Sequence, residues 1–175
     1  MDKYEELEKK EIFKNEHIQV YSKKLKLPNE KIVNWTFTGK KDAVGIVAVF
    51  EDNSILLVKQ YRPAVKMTTL EIPAGLLEEG EAPIEAALRE LEEETGYKAQ
   101  KIEKICEYYM SPAISEGKFF LFYAEELIKT EQHLDEEEFI DIVKLNLEDL
   151  DINSLSDGKS IIAVEYAKKK REIKL

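Results

Sequence analysis

Between Gly75 and Tyr97 the chain reads GLLEEGEAPIEAALRELEEETGY, and its acids are spaced for chemistry. Glu90, Glu93 and Glu94 stand three and four apart, so on a helix their carboxylates project from one side within a single turn. Such a face is poor for stability. Like charges one turn apart cost about 0.2–0.5 kcal/mol per pair, and a helix C-terminus disfavours each anion by about 0.3–1 kcal/mol. A cation from outside the chain is the simplest compensation, and clustered carboxylate oxygens suit hard ions such as Mg²⁺ or Mn²⁺. Ions held this way against a diphosphate would neutralise it, polarise the attacked phosphorus and acidify a water. In-line attack by water is then the reaction class. No covalent nucleophile is evident: His17 and His133 lie in no ligand pattern, and Cys106 reads as a core residue in mid-strand.

The helix that must position these groups is well marked. Pro83 suits a first turn, where its missing N–H is not needed, and Gly96 suits a left-handed C-terminal stop. Good helix formers run between them. At about 100° per residue, Ile84, Ala87, Leu88, Leu91 and Thr95 share one side, predicted to pack on a sheet. Ala86 and Ala87 leave room above the carboxylates. Glu85 and Arg89 stand four apart in the favourable acid-first order.

These residues carry a resemblance. Gly75, Glu81 and the run Arg89-Glu90-Leu91-x-Glu93-Glu94-x-Gly96-Tyr97 fill every fixed position of the 23-residue Nudix hydrolase box. A charged surface helix with ordinary caps is the plain alternative, and it does not require all of these positions at once. Beyond the box, Lys59-Gln60-Tyr61-Arg62-Pro63, Glu71-Ile72-Pro73-Ala74-Gly75, and Ser111-Pro112 before Ser115-Glu116 resemble the ADP-ribose pyrophosphatase branch. Pro112, fifteen positions past Tyr97, has that branch's spacing. Ala113 departs from it, standing where the loop usually carries glycine.

The resemblance implies an α/β/α sandwich of Nudix type and roles for particular residues. Glu90 and Glu94 match metal ligands, with the Ala74 carbonyl as a backbone ligand. Glu93 is a ligand or a supporting carboxylate, and Arg89 orients a box glutamate through an ion pair. Gly75 supplies a backbone turn that a Cβ would obstruct. Arg62 matches an arginine that contacts substrate phosphate, against the plain reading of a surface ion pair at a strand end. Glu116 matches a residue that bonds the terminal ribose, or is a solvated loop acid. Trp35 stands where some relatives stack a ring on adenine, or belongs to a core or interface. The general base falls in the acidic stretch Asp135-Glu136-Glu137-Glu138, with Glu136 as first choice and Glu138 as a further metal ligand. Glu93 and Glu116 are its rivals, and acid runs in loops are often merely solvated.

Composition bounds the rest. The 175 residues, 43% hydrophobic and 35% charged, suit one core of ordinary size with a small appendage. No apolar run approaches a membrane span, the start MDKYEELEKKE lacks a signal-peptide pattern, and the single cysteine excludes a disulfide framework. A cytoplasmic protein is expected. The net charge is −10, and residues 71–97 carry nine acids against one base. Such a surface repels nucleic acid but admits a phosphate-bearing small molecule through bridging cations.

Along the chain, residues 1–16 read as a short helix or a loose tail. HIQVYSKKLKL and KIVNWTFT alternate as strands. Together they predict a small antiparallel β appendage over 1–40, ahead of a hydrolase domain over 41–175. In that domain AVGIVAVF is predicted as a buried strand, followed by strands at SILLVKQYR and TTLEIP and a loop at 74–80. Beyond the acidic helix, strands are expected at KIEKICEYYM, FFLFYA and IDIVKLNL. EELIKTEQHLDEEEF reads as a polar connection, and a terminal helix from Asp157 has a basic end suited to its C-terminus. The expected activity is Mg²⁺-dependent hydrolysis of ADP-ribose to AMP and ribose 5-phosphate. Expected partners are that substrate and, by the resemblance, a second copy exchanging N-terminal strands. Another nucleoside diphosphate sugar, or a non-catalytic module that senses ADP-ribose, is the alternative.

Overall fold

The computed structural model describes residues 3–15, 17–39 and 41–172. The chain divides into two compact units, Met1–Asp42 with Tyr108–Lys118, and Ala43–Glu107 with Phe119–Leu175.

The first unit is a three-stranded antiparallel sheet of β1 (Glu5–Lys14), β2 (Gln19–Lys26) and β3 (Ile32–Thr38) in that order. The expected helix or tail at the start is instead β1, and pairing overrides its local charge pattern. Acids of β1 stand opposite lysines of β2, Glu5 against Lys26 and Glu8 against Lys24, and such cross-strand pairs are favourable. Tyr21 and Leu25 of β2 are buried, while β1 is exposed throughout. The 108–118 segment joins this unit where Thr38 N–H donates to the Ile114 carbonyl at 2.8 Å. Ala113 is not among the residues with positive φ, so its backbone does not require a glycine there.

The second unit is built on a mixed sheet. β4 (Ala43–Val49) is buried along its whole length, as its unbroken apolar run predicts. It pairs parallel with β9 (Lys118–Lys129) and antiparallel with β5 (Ser54–Arg62) and β7 (Ala74–Leu76). β10 (Ile140–Asn146) and β6 (Met67–Glu71) flank β5, and β8 (Tyr97–Tyr109) lies beyond β9. β7 falls in the stretch expected to be loop, and β9 extends into the expected polar connection. Cys106 is half-buried in β8 rather than in the core.

Helix α1 (Pro83–Thr95) begins with proline and stops at Gly96 in the left-handed region, φ 66°. Its Ala86, Ala87 and Leu91 pack with Val44, Ile46 and Ala48 of β4 and with Leu56, Phe122 and Ala124. The buried stripe is turned from the expected one: Ile84 is 44% exposed and Leu88 is only half-buried, whereas Glu90 and Glu94 are buried. Helix α2 (Gly158–Lys170) buries Ser160, Ala163, Val164, Ala167 and Lys168, one face at helical spacing. The isoleucine beside them, Ile162, is 41% exposed. Lys168 does not serve the helix end, because its ammonium reaches the Leu150 carbonyl at 2.7 Å. The order of elements and their two helices match the α/β/α Nudix sandwich.

Candidate active site

Two glutamates of α1 are tucked under a strand. Glu90 is 9% exposed and Glu94 4%. Glu94 Oε2 accepts the Ala74 backbone N–H at 2.9 Å. Glu90 lies so close to β7 that a Cβ on Gly75 would fall 2.0 Å from its Oε1. Gly75 is therefore needed for close approach, not for the backbone turn expected; it sits in a strand and its φ is not positive.

Burial pushes both carboxyls up, Glu90 to about 7 and Glu94 to about 8. Repulsion adds to burial: Glu93 and Glu138 act on Glu90, and Glu90 and Glu138 act on Glu94. Arg89 counters the shift at Glu90, and the Ala74 amide counters it at Glu94.

Arg89 is the hub of the acidic face. Its Nη1 donates to Glu90 Oε1 at 2.8 Å and Glu93 Oε2 at 2.9 Å, its Nε and Nη2 fork onto Glu81 at 2.9 and 3.0 Å, and Nη2 reaches the Leu76 carbonyl at 3.1 Å. Glu81 is anchored in turn by the Glu78 N–H at 2.9 Å. Glu85, expected to pair with Arg89, turns back to accept the Ala82 N–H at 3.3 Å, as a third helical residue often does.

The end of α1 is closed by the segment after β9. Thr130 N–H donates to the Gly96 carbonyl, Gln132 Nε2 to that of Glu94 and His133 N–H to that of Glu93, at 2.7–3.0 Å. These contacts answer helix carbonyls that lack partners within the helix. Two residues later begins the acidic turn, where Asp135 N–H donates to Glu138 Oε2 at 3.3 Å. Glu138 is half-buried and its charge is felt at Glu90 and Glu94. Glu136 is exposed on the turn. Nothing in the acid run itself distinguishes the two; the half-burial of Glu138 and its bond from the Asp135 N–H do.

Arg62 Nε and Nη2 fork onto Glu71 at 2.8 Å each. Glu71 is 3% exposed, and burial alone would raise it, but bonds from Arg62, Lys159 and Thr69 outweigh that and hold it down to about 2. Lys159, Ser160 and Asp157 belong to this cluster without having been singled out in the sequence. The available signal was Asp157, three residues before a serine at a helix start, an N-cap pattern.

The remaining two expected residues lie in the first unit. Trp35 is 42% exposed and meets Tyr4 edge-on, with ring centroids 5.8 Å apart. Glu116 accepts from Lys23 Nζ at 2.7 Å, and Lys23 also reaches Glu6 at 2.9 Å.

The Nudix domain profile matches residues 39–163. The chain belongs to the Nudix hydrolase family. It is 38% identical over 171 residues to the ADP-ribose pyrophosphatase of Bacillus subtilis (strain 168), covering 94% of this chain and 92% of that protein. It is 34% identical over 170 residues to the methanol dehydrogenase activator of Bacillus methanolicus, with the same coverage of each. A crystal structure of an ADP compounds hydrolase superposes with a TM-score of 0.87 at 22% identity, covering 98% of this chain and 96% of that one; that likeness concerns the fold.

Nudix hydrolases generally use divalent ions, and the donor set of this chain fits one. Two buried carboxylates beside a backbone amide, with two more acids within electrostatic reach, are hard oxygen donors. Among the described residues no three acid, histidine or cysteine side chains converge as a finished ligand set. Arg89 holds one oxygen each of Glu90 and Glu93.

Proposed function

We propose that this Nudix hydrolase cleaves the diphosphate bond of ADP-ribose to AMP and ribose 5-phosphate with Mg²⁺, Mn²⁺ serving as a substitute. One observation carries the reading: Glu90 and Glu94 are buried carboxyls one turn apart on α1, Glu94 in its last turn, where anions are disfavoured and no basic residue stands. Likeness to the B. subtilis ADP-ribose pyrophosphatase along nearly the whole chain supports the substrate.

In this reading Glu90, Glu94 and Glu138, with the Ala74 carbonyl, would hold divalent ions, whose chemistry when bound would be to offset the diphosphate charge and lower the pKa of a water. Arg89 keeps Glu90 and Glu93 in register for that task. Arg62 receives a phosphate oxygen, Trp35 stacks on adenine and Glu116 bonds the terminal ribose. Glu136 accepts the proton of the attacking water, with Glu93 and Glu116 as rivals that mutagenesis separates. The protein acts as a cytoplasmic homodimer.

A substrate panel with purified protein tests this. ADP-ribose should turn over fastest, and chelator should abolish the activity. Preference for GDP-mannose would move the assignment to another nucleoside diphosphate sugar. Tight ADP-ribose binding without turnover of any substrate would make the protein a sensor.

The likeness to the methanol dehydrogenase activator favours a second reading, in which the chain activates a methanol dehydrogenase. Assaying that enzyme with and without the protein decides it; an unchanged rate removes the reading.

A further inference from the structure

The first turn of α2 carries a lysine where a helix least favours one. Lys159 stands two residues after the N-cap Asp157, at the end whose dipole opposes cations. Its side chain is 12% exposed. Its ammonium lies 2.5 Å from Glu71 Oε2 and 2.8 Å from Asp157 Oδ2. On the same Glu71 carboxylate, Arg62 Nε bonds Oε1 and Nη2 bonds Oε2, while Thr69 Oγ1 donates to Oε1 at 2.5 Å.

A forked arginine–carboxylate pair is complete in itself, so the pair alone does not account for a half-buried lysine at a helix start. What Lys159 adds is a second anchor. Glu71 is held from β5 through Arg62 and from α2 through Lys159, which fixes the carboxylate plane and with it the guanidinium forked onto that plane. Nη1 takes no part in the fork, and the Arg62 side chain is 41% exposed. Arg62 and Glu94 also lie within electrostatic reach of each other.

We propose that Lys159 is a positioning residue which, through Glu71, fixes the orientation in which Arg62 presents Nη1 to a phosphate group of a nucleoside diphosphate ligand. The kinetic arm of the test rests on the ADP-ribose reading; the spectroscopic arm does not.

The chain holds three arginines, Arg62, Arg89 and Arg171, so the Nε–H region of a ¹H–¹⁵N spectrum is simple and Arg62 is assigned by its loss in Arg62→Lys. In Lys159→Met, exchange of the Arg62 Nε–H should quicken about tenfold, as loss of a charged anchor predicts. The Arg89 signal should stay as it is, and Lys159→Arg should restore slow exchange. Should the Met variant not fold, Lys159→Gln replaces it. With ADP-ribose, Lys159→Met should raise KM about tenfold with kcat within about twofold, because held phosphate is ground-state binding. In an Arg62→Lys background the same change should add little. An unaltered Arg62 signal, fully additive losses, or a fall in kcat at constant KM overturns the proposal. Failure of the wild type to hydrolyse ADP-ribose would sink the substrate reading instead, and the exchange measurement would still decide this one.

Discussion

Glu94 faces a choice that its burial forces. In the ion-free protein it and Glu90 keep protons up to about pH 8 and about pH 7, which the unfolded chain releases near the ordinary glutamate value of 4.5. Between those limits the folded state binds more protons than the unfolded, so stability falls as pH rises from about 4.5 to about 8. Thermal melts in chelator should show that decline, and saturating Mg²⁺ should cancel it above pH 7, since bound cations replace the protons. A melting point that climbs across this range in chelator would refute the burial argument. Glu94→Gln keeps an oxygen for the Ala74 amide while losing the charge. Its kcat should fall about 10²-fold or more, with melting in chelator unchanged or higher; full turnover would take Glu94 out of the ion site. Gly75→Ala should cost about 10–100-fold in activity, because its Cβ displaces the Glu90 carboxylate that it would touch at 2.0 Å.

At the scale of elements, the two helices hold the stretch that links β6 to β7 from different directions in the sequence. α1 sends Glu94 to the Ala74 amide, and α2 sends Ser160 Oγ to accept the Ile72 N–H at 2.9 Å. Ser160 is fully buried and its hydroxyl donates to the N-cap Asp157 at 2.5 Å. Ser160→Ala leaves the Ile72 N–H unanswered and should destabilise the protein by about 1–3 kcal/mol in urea titration. A smaller loss would mean that another group or a water answers that amide. Glu71 behaves oppositely to Glu94 with pH. Its folded-state pKa of about 2 lies below the unfolded value, so it contributes stability above about pH 4.5 that is lost as pH falls toward 2.

For the whole molecule, the first unit leaves an unusual number of large apolar side chains uncovered. Tyr4, Leu7, Ile12, Phe13, Ile32 and Trp35 are each more than 40% exposed, and the Tyr4 and Trp35 rings lie against each other; contiguous apolar surface marks an interaction site. A second copy is the occupant proposed here. Light scattering after gel filtration should give about twice the 20.3 kDa chain mass; a monomer at micromolar concentration would leave that surface to another partner.

Read alone, the sequence determined the helix α1 with both of its ends, the buried β4, and the acidic box with its family, because these rest on spacing, capping residues and unbroken apolar runs. It missed β1 and β7, whose strand character comes from pairing with chain distant in sequence or locally polar. It named Glu90, Glu94 and Glu138 as ion ligands only through the family resemblance, because residue type alone does not set them apart from their neighbours. Glu90 and Glu94 look like Glu92 and Glu93 along the chain, and Glu138 looks like Glu136. Packing separates them, since Glu90 and Glu94 are buried, Glu90 against β7 at Gly75 and Glu94 on the Ala74 amide. Desolvation is a property of neighbours brought together in space, and so the tertiary structure alone decided where the charge is costly enough to call for a cation.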